Sequence, residues 1–316
     1  MPRILFVKTS SPGDVVHNGP AVSDVARCVP QAAIDWLVEE PFAEIAALHA
    51  AVRRVIPVAV RRWRSALWDP AVWSEMRALR RMLRGEAYDT VIDTQGLVKS
   101  ALLCALAAGR KHGMDRASLR EPLAAGVYEV RHAIARGQHA VERNRQLAAA
   151  ALGYAVPGGC DYGLRLETPA SGEGRTGYVV LLTMSSRDDK LWADAHWIEL
   201  GRALAARGLQ PLLPWGSEAE RARCARLAIA IPGAEVPQRM SLRELARLLR
   251  AARGVAGVDT GLTHLAVAAG AAVVGIYCAT DPALTGLYGS SRARNLGTAG
   301  APPPPAQVLG CLEELM

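Results

Sequence analysis

Short runs of apolar, often β-branched residues recur along this chain, each followed by a longer stretch with apolar positions at helical spacing. Ile4 to Val7, Ile34 to Val38, Val55 to Val60 and Tyr88 to Asp93 read as strands, separated by segments able to form helices. The alternation restarts with strands over Tyr178 to Thr183, Leu209 to Leu213, Gly254 to Val258 and Ala272 to Tyr277. The helices of this second half cover Trp197 to Arg207, Glu218 to Ala228 and Leu242 to Ala252. Alternating strand and helix predicts an α/β fold with parallel sheets, here two doubly wound, Rossmann-like domains facing across a cleft. Val156-Pro157-Gly158-Gly159-Cys160 and Thr168-Pro169-Ala170-Ser171-Gly172-Glu173-Gly174 have the composition of turns and linkers, so the boundary falls between residues 155 and 175. The domains are taken as 1–160 and 161–316. A proline run, Pro302 to Pro305, precedes a last helical piece, Ala306 to Leu312.

The chain has 316 residues, half of them apolar, enough to bury two ordinary cores. No apolar run reaches the roughly 18 residues of a membrane span, and the N-terminus lacks the apolar core of a secretory signal, so a cytoplasmic protein is expected. Six cysteines stand singly, with no C-x-x-C pair and no histidine at metal spacing, which supports neither a disulfide framework nor a zinc site. A net charge of +7 favours an acidic partner: nucleic acid, anionic lipid or a phosphorylated substrate. Arg53, Arg54, Arg61, Arg62 and Arg64 flank the third strand, where ligands often bind. Arg77, Arg80, Arg81 and Arg84 read instead as a solvated helix face.

In open parallel sheets ligands sit beyond the carboxyl ends of the strands, so the loops there are where chemistry is expected. The first, Lys8 to His17, is not a G-x-G-x-x-G fingerprint. Its Asp14 is either a helix cap or a general base for a hydroxyl nucleophile, and Lys8 either pairs with that acid or holds an anion. In Leu182 to Trp192, hydroxyls, a lysine and a tryptophan could bind phosphate and pack on a sugar or base. Glu218 and Glu220 either satisfy a helix start or hold a ribose or base. Asp259-Thr260-Gly261-Leu262-Thr263-His264 follows an apolar strand and opens a small-residue helix. Either Asp259 or Thr260 caps that helix, or the free N–H groups and the helix dipole hold a phosphate.

Five segments in order carry a resemblance: Lys8-Thr9-Ser10-Ser11-x-Gly13-Asp14, Asp93-x-Gln95-Gly96-Leu97-x-Lys99-Ser100, Arg187-Asp188-Asp189-Lys190-x-Trp192, Pro214-Trp215-Gly216 and Asp259-Thr260-Gly261-Leu262-x-His264. With Arg61-Arg62-Trp63-Arg64, Gly113-Met114-Asp115, Arg120-Glu121-Pro122 and His139 to Arg143, they resemble the lipopolysaccharide heptosyltransferases of glycosyltransferase family 9, in the heptosyltransferase I form. The resemblance runs from Arg3 to about Tyr288.

It implies the two-domain GT-B fold and transfer of L-glycero-D-manno-heptose from ADP-L-glycero-β-D-manno-heptose to the first Kdo of Kdo2-lipid A, inverting the anomeric centre. The protein would then work at the cytoplasmic face of the inner membrane, with no cofactor, no essential metal, no nucleic acid and no transmembrane segment. Asp14 would be the general base, and Lys190 would neutralise the leaving diphosphate. Ser185, Ser186, Lys190, Glu220, Met240, Asp259, Thr260, Gly261 and His264 match donor positions. Lys8, Arg61, Arg64, Arg120 and Arg143 match positions facing the acceptor's carboxylates and phosphates. Ser185 and Ser186 stand where the family more often has Thr, Ser65 replaces a basic residue, and Asn18-Gly19 replaces a Thr-Leu-like pair. The match fades after about Arg292, leaving the last helix free to return to the first domain. Another GT-B transferase, of the heptosyltransferase II kind, or a nucleotide-sugar epimerase is the nearest rival.

Overall fold

The computed structural model describes residues 1–66, 68–166 and 177–316, which divide into two compact units, Met1–Gly163 and Leu164–Met316. The stretch Thr168 to Gly174, read above as linker, lies outside the described residues.

The first unit is built on six strands: β1 (Arg3–Val7), β2 (Ala33–Glu39), β3 (Val52–Val58), β4 (Thr90–Asp93), β5 (Arg110–Met114) and β6 (Val130–His132). They form one sheet in the order β3-β2-β1-β4-β5-β6, and every pair is parallel. Ile4 through Val7 are fully buried because both faces of a parallel sheet are covered by helices, so no polar alternation survives there. Phe6 lies in register with Trp36 on one side and Ile92 on the other. The strand order reverses between β1 and β4, which directs the loops after those two strands to the sheet's natural ligand position.

The second unit contains β7 (Tyr178–Leu182), β8 (Gln210–Leu212), β9 (Gly254–Val258), β10 (Val273–Ile276) and β11 (Ala293–Leu296), again all parallel, in the order β11-β10-β9-β7-β8. Its reversal falls between β7 and β9, so the loops carrying Lys190 and Asp259 emerge side by side. The core collects Val179, Leu181, Trp192, Trp197, Leu200, Val258 and Ile276. The closing helix, Pro305–Leu315, adds Val308 and Leu312 to that core.

Several sequence expectations shift. β3 begins at Val52 and ends at Val58, and Val60 instead opens the short helix Val60–Ser65. Tyr88 precedes β4, behind Ala87 at φ 48°. β5, β6 and β11 escaped the pattern because Arg-Lys-His-Gly-Met, Val-Arg-His and Ala-Arg-Asn-Leu carry too few apolar residues, and β6 and β11 are half-exposed sheet edges. Among the described residues no helix is long and apolar enough to cross a membrane.

Candidate functional site

Strand β9 is buried throughout and delivers Asp259, itself only 7% exposed, to the head of helix Gly261–Ala268. The Asp259 Oδ2 atom accepts from Lys190 Nζ at 2.7 Å and from Thr280 Oγ1 at 2.7 Å, while His264 Nε2 lies 3.6 Å from Oδ1. Burial acts to raise the Asp259 carboxyl, but His264, Lys190 and Thr280 together outweigh it and hold the group well below the usual carboxylate range. Asp259 is thus a permanent anion that orients a lysine, a threonine and a histidine. Thr260 occupies the helix N-cap position without making a side-chain cap bond. Neither the Asp259 nor the Thr260 side chain caps the helix; the Thr263 N–H donates to the Thr260 carbonyl at 3.1 Å, which leaves the N–H groups of Gly261 and Leu262, at the positive dipole end, without a hydrogen-bond partner among the described residues and open to an anion.

The loop after β7 comes to this point. Ser185 Oγ lies 3.4 Å from the Asp259 carbonyl oxygen, Ser186 is exposed, and Lys190 closes a single 3-10 turn, Asp188–Lys190. A residue that the sequence reading passed over holds both ends of this loop. From helix Glu218–Ala230, the Arg223 guanidinium donates to the Thr183 carbonyl at 2.6 Å, to the Trp192 carbonyl at 3.2 Å and to Asp194 Oδ1 at 2.6 Å. Thr280 was missed too, because a threonine beyond the next strand carries no motif. Arg223's only signal was a position six residues after the Ser217 cap.

Trp192 is not available to a sugar or base. It is 1% exposed, packs edge-on against Trp197 and donates its indole N–H to the Pro303 carbonyl at 3.1 Å. Arg187 pairs with Asp189 at the surface. Glu220 serves the helix start: one carboxylate oxygen accepts from the Gly216 N–H at 2.6 Å and the Ser217 N–H at 3.2 Å, while Ser217 Oγ accepts from the Glu220 N–H. Glu218 pairs with Arg221. Met240 is half-buried immediately before Ser241, the cap of helix Leu242–Ala251. The second unit therefore gathers Ser185, Lys190, Asp259, Thr260, Gly261 and His264, with Glu220 engaged in a neighbouring cap.

In the first unit the helix after β1 begins at Pro12 with Ser11 as its cap, so Asp14 sits at the third helical position. Its Oδ2 atom accepts from the Ser11 N–H at 2.7 Å and the Ser11 hydroxyl at 3.1 Å, and Oδ1 makes no hydrogen bond among the described residues. Lys8 does not pair directly with it: the buried ammonium donates to the Thr94 carbonyl at 2.8 Å and lies 3.5 Å from Asn144 Oδ1. Burial lowers the Lys8 pKa, the charges of Asp14 and Asp93 act against that shift, and Arg143 adds to it. The loop after β4 braces this arrangement. Gln95 Oε1 accepts from the N–H groups of Thr9 and Ser10 at 3.1 Å, and Lys99 donates to Ser10 Oγ at 2.6 Å. Asp93 anchors it by accepting from Gln95 N–H, Gly96 N–H, the Ser100 hydroxyl and the Tyr128 hydroxyl. Burial pushes the Asp93 carboxyl up, and those donors pull the other way.

The arginines divide. Arg53 and Arg54 are not ligand groups: they clamp the fully buried Asp35 at 2.7 and 2.9 Å and share Glu86. Arg62 pairs with Glu75. Arg61, with its guanidinium over the Phe42 ring, and Arg64 are exposed on helix Val60–Ser65, and Arg120 is exposed after β5. Arg143 differs from all of these. Its Nη2 atom donates to the Ser118 carbonyl at 2.6 Å and approaches Met114 Sδ at 3.1 Å, while its buried Nε atom has no partner among the described residues. Burial, with Arg136 nearby, lowers its pKa, the signature of a guanidinium lacking a counter-ion.

Residues 76–314 match the family model of glycosyltransferase family 9 (heptosyltransferase). The chain is 48% identical over 298 residues to lipopolysaccharide heptosyltransferase 1 of Escherichia coli (strain K12), with 92% of each chain covered. Among solved structures, E. coli heptosyltransferase WaaC with ADP superposes with a TM-score of 0.91 at 44% identity, covering 99% of this chain and 100% of that one. The same enzyme with ADP-2-deoxy-2-fluoro heptose gives 0.86 at 43% identity, covering 99% and 98%.

Proposed function

The chain belongs to glycosyltransferase family 9, whose GT-B arrangement of two parallel-sheet α/β domains it shares, and from that membership we propose that it transfers L-glycero-D-manno-heptose from ADP-L-glycero-β-D-manno-heptose to the first Kdo of Kdo2-lipid A, with inversion. The support for a nucleotide-sugar donor is the uncapped helix start at Gly261 set beside Lys190 and His264 on the Asp259 anion. This observation carries the reading. A diphosphate there receives backbone N–H groups and a lysine charge fixed before the reaction begins, which is how a leaving group is stabilised in place. The relatives bound to ADP and to an ADP-heptose analogue point to the same ligand.

In the reaction a Kdo hydroxyl oxygen attacks the anomeric carbon from the face opposite the diphosphate. The bond from that carbon to the β-phosphate oxygen breaks, ADP departs with the electron pair, and Asp14 takes the hydroxyl proton. Oδ1 of Asp14, which has no hydrogen-bond partner among the described residues, is the atom for that proton, and the Ser11 contacts keep the carboxylate oriented. Buried Lys8 supplies a positive field beside it. Arg143, short of a counter-ion, together with Arg61, Arg64 and Arg120, suits the anionic groups of the acceptor. Lys190 and the helix N–H groups neutralise the diphosphate without an essential metal, and no other cofactor is needed. The enzyme works at the cytoplasmic face of the inner membrane, where this lipid acceptor lies.

The test is turnover of Kdo2-lipid A with ADP-heptose against UDP-sugars, with the product's anomeric configuration read by NMR. Reaction with a UDP-sugar alone, or a retained configuration, overturns the reading. Asp14→Asn tests the mechanism: turnover should fall by about 10²-fold or more while ADP-heptose affinity measured by calorimetry stays unchanged. Wild-type turnover in that variant would leave Asp14 as a helix residue only.

A further inference from the structure

Helix Pro70–Gly85 turns Val72, Leu79 and Leu83 inward, and its other side is exposed. On that side Trp73, Arg77, Arg80 and Arg84 recur at intervals of four, three and four, which places them in one stripe along one flank, with Arg81 beside it. Trp73 is 47% exposed, and Trp68, just ahead of the helix, is 98% exposed. No acidic side chain pairs with the arginines of the stripe among the described residues. The helix contains one acid, Glu75, and it is engaged by Arg62 and by the Trp63 indole at 2.7 Å. The Asp69 carboxylate caps the helix by accepting from the Ala71 N–H at 2.8 Å. Arg77, Arg80, Arg81 and Arg84 have no acidic partner among the described residues.

The indole of Trp68 leaves a large apolar area in water, and the arginines, read from spacing as a solvated face, repel one another at intervals of three and four with no acid between them. Together they match one environment. An anionic bilayer attracts the arginines through its surface potential, and its interfacial zone accepts indole rings, apolar body inward and N–H toward the head groups. We propose that this flank, with Trp68 at its head, is a docking surface for an anionic phospholipid bilayer, separate from the groups that hold the reacting sugars. The surface would keep the enzyme in the plane where a lipid-linked acceptor is found. The proposal takes only its choice of bilayer from the acceptor reading, since the stripe itself needs no acceptor.

The experiment is co-sedimentation of the full chain with vesicles of phosphatidylcholine alone and with an equal mixture of phosphatidylglycerol and phosphatidylcholine. Binding should be confined to the mixed vesicles, weaken with salt, and blue-shift the tryptophan emission. Because each basic residue near an anionic surface contributes about fivefold, the R77Q/R80Q/R84Q variant should partition roughly 100-fold less. W68S/W73S should weaken binding and remove most of the blue shift. Both variants should turn over a deacylated, water-soluble acceptor at the wild-type rate, which separates loss of docking from loss of the active site. Equal binding to both vesicle types, an unchanged partition of R77Q/R80Q/R84Q, or tighter binding to duplex DNA than to the mixed vesicles would each overturn the proposal.

Discussion

Replacing Asp259 by asparagine tests whether its charge organises the second unit's site. The carboxylate receives two short hydrogen bonds, from Lys190 and Thr280 at 2.7 Å, and the side chains of Lys190 and Asp259 are 19% and 8% exposed. A charged hydrogen bond contributes about 1.5–3 kcal/mol and a neutral one about 1. Asn keeps one acceptor oxygen, so each contact weakens by about 0.5–2 kcal/mol and the variant should lose roughly 1–4 kcal/mol in all. With a urea slope of about 2 kcal/mol/M, the unfolding midpoint at neutral pH should fall by roughly 0.5–2 M. The pH dependence makes the test sharper. Since the folded-state pKa of Asp259 is depressed, its contribution is complete above the unfolded value of about 3.9 and declines by about 1.4 kcal/mol for each pH unit below it. The gap between wild type and variant should therefore narrow by about 1 kcal/mol on moving from pH 7 to pH 3. A midpoint shift under about 0.3 M, or a gap that does not narrow in acid, would refute the idea that an ionised Asp259 holds this site together.

His49 should give the first unit its own acid sensitivity. Its Nδ1 atom accepts from the Ala51 N–H, its Nε2 atom reaches the Gly19 carbonyl at 3.1 Å and the Ser23 hydroxyl at 3.0 Å, and burial lowers its pKa to about 4, with Gly19 and Asp161 acting the other way. Its stabilisation is whole above pH ~6.5 and drains away as pH falls toward 4, by about 1.4 kcal/mol per unit, so His49→Gln should flatten the stability profile in that window measured by urea unfolding. Arg223→Lys keeps the charge but loses the planar fork that reaches Thr183, Trp192 and Asp194 together; the KM for the donor should rise about tenfold with a smaller change in kcat, and steady-state kinetics decide it.

Strand and helix alternation was readable in the chain because fully buried parallel strands such as Ile4 to Val7 and Gly254 to Val258 are unbroken apolar runs. Edge strands β6 and β11 were not, since a half-exposed edge pairs on one side only and needs few apolar residues. Within the site, the turn after β9 was legible as a strand-loop-helix junction, and the structure sets Asp259 at the head of helix Gly261–Ala268 as that pattern predicts. Charge and aromaticity alone misled at Arg53, Arg54 and Trp192: two of these serve a buried aspartate and the third fills a core.

The family, the strand-loop-helix units and the residue types that could meet an anion are legible in the chain, because they depend on local periodicity and on motifs in order. Only tertiary structure decided which of those residues act together. Lys190 meets the Asp259 carboxylate because the strand order reverses between β7 and β9, Thr280 reaches it from the loop after the adjacent strand β10, and Arg223 holds the loop after β7, pairings that no local spacing in the chain encodes.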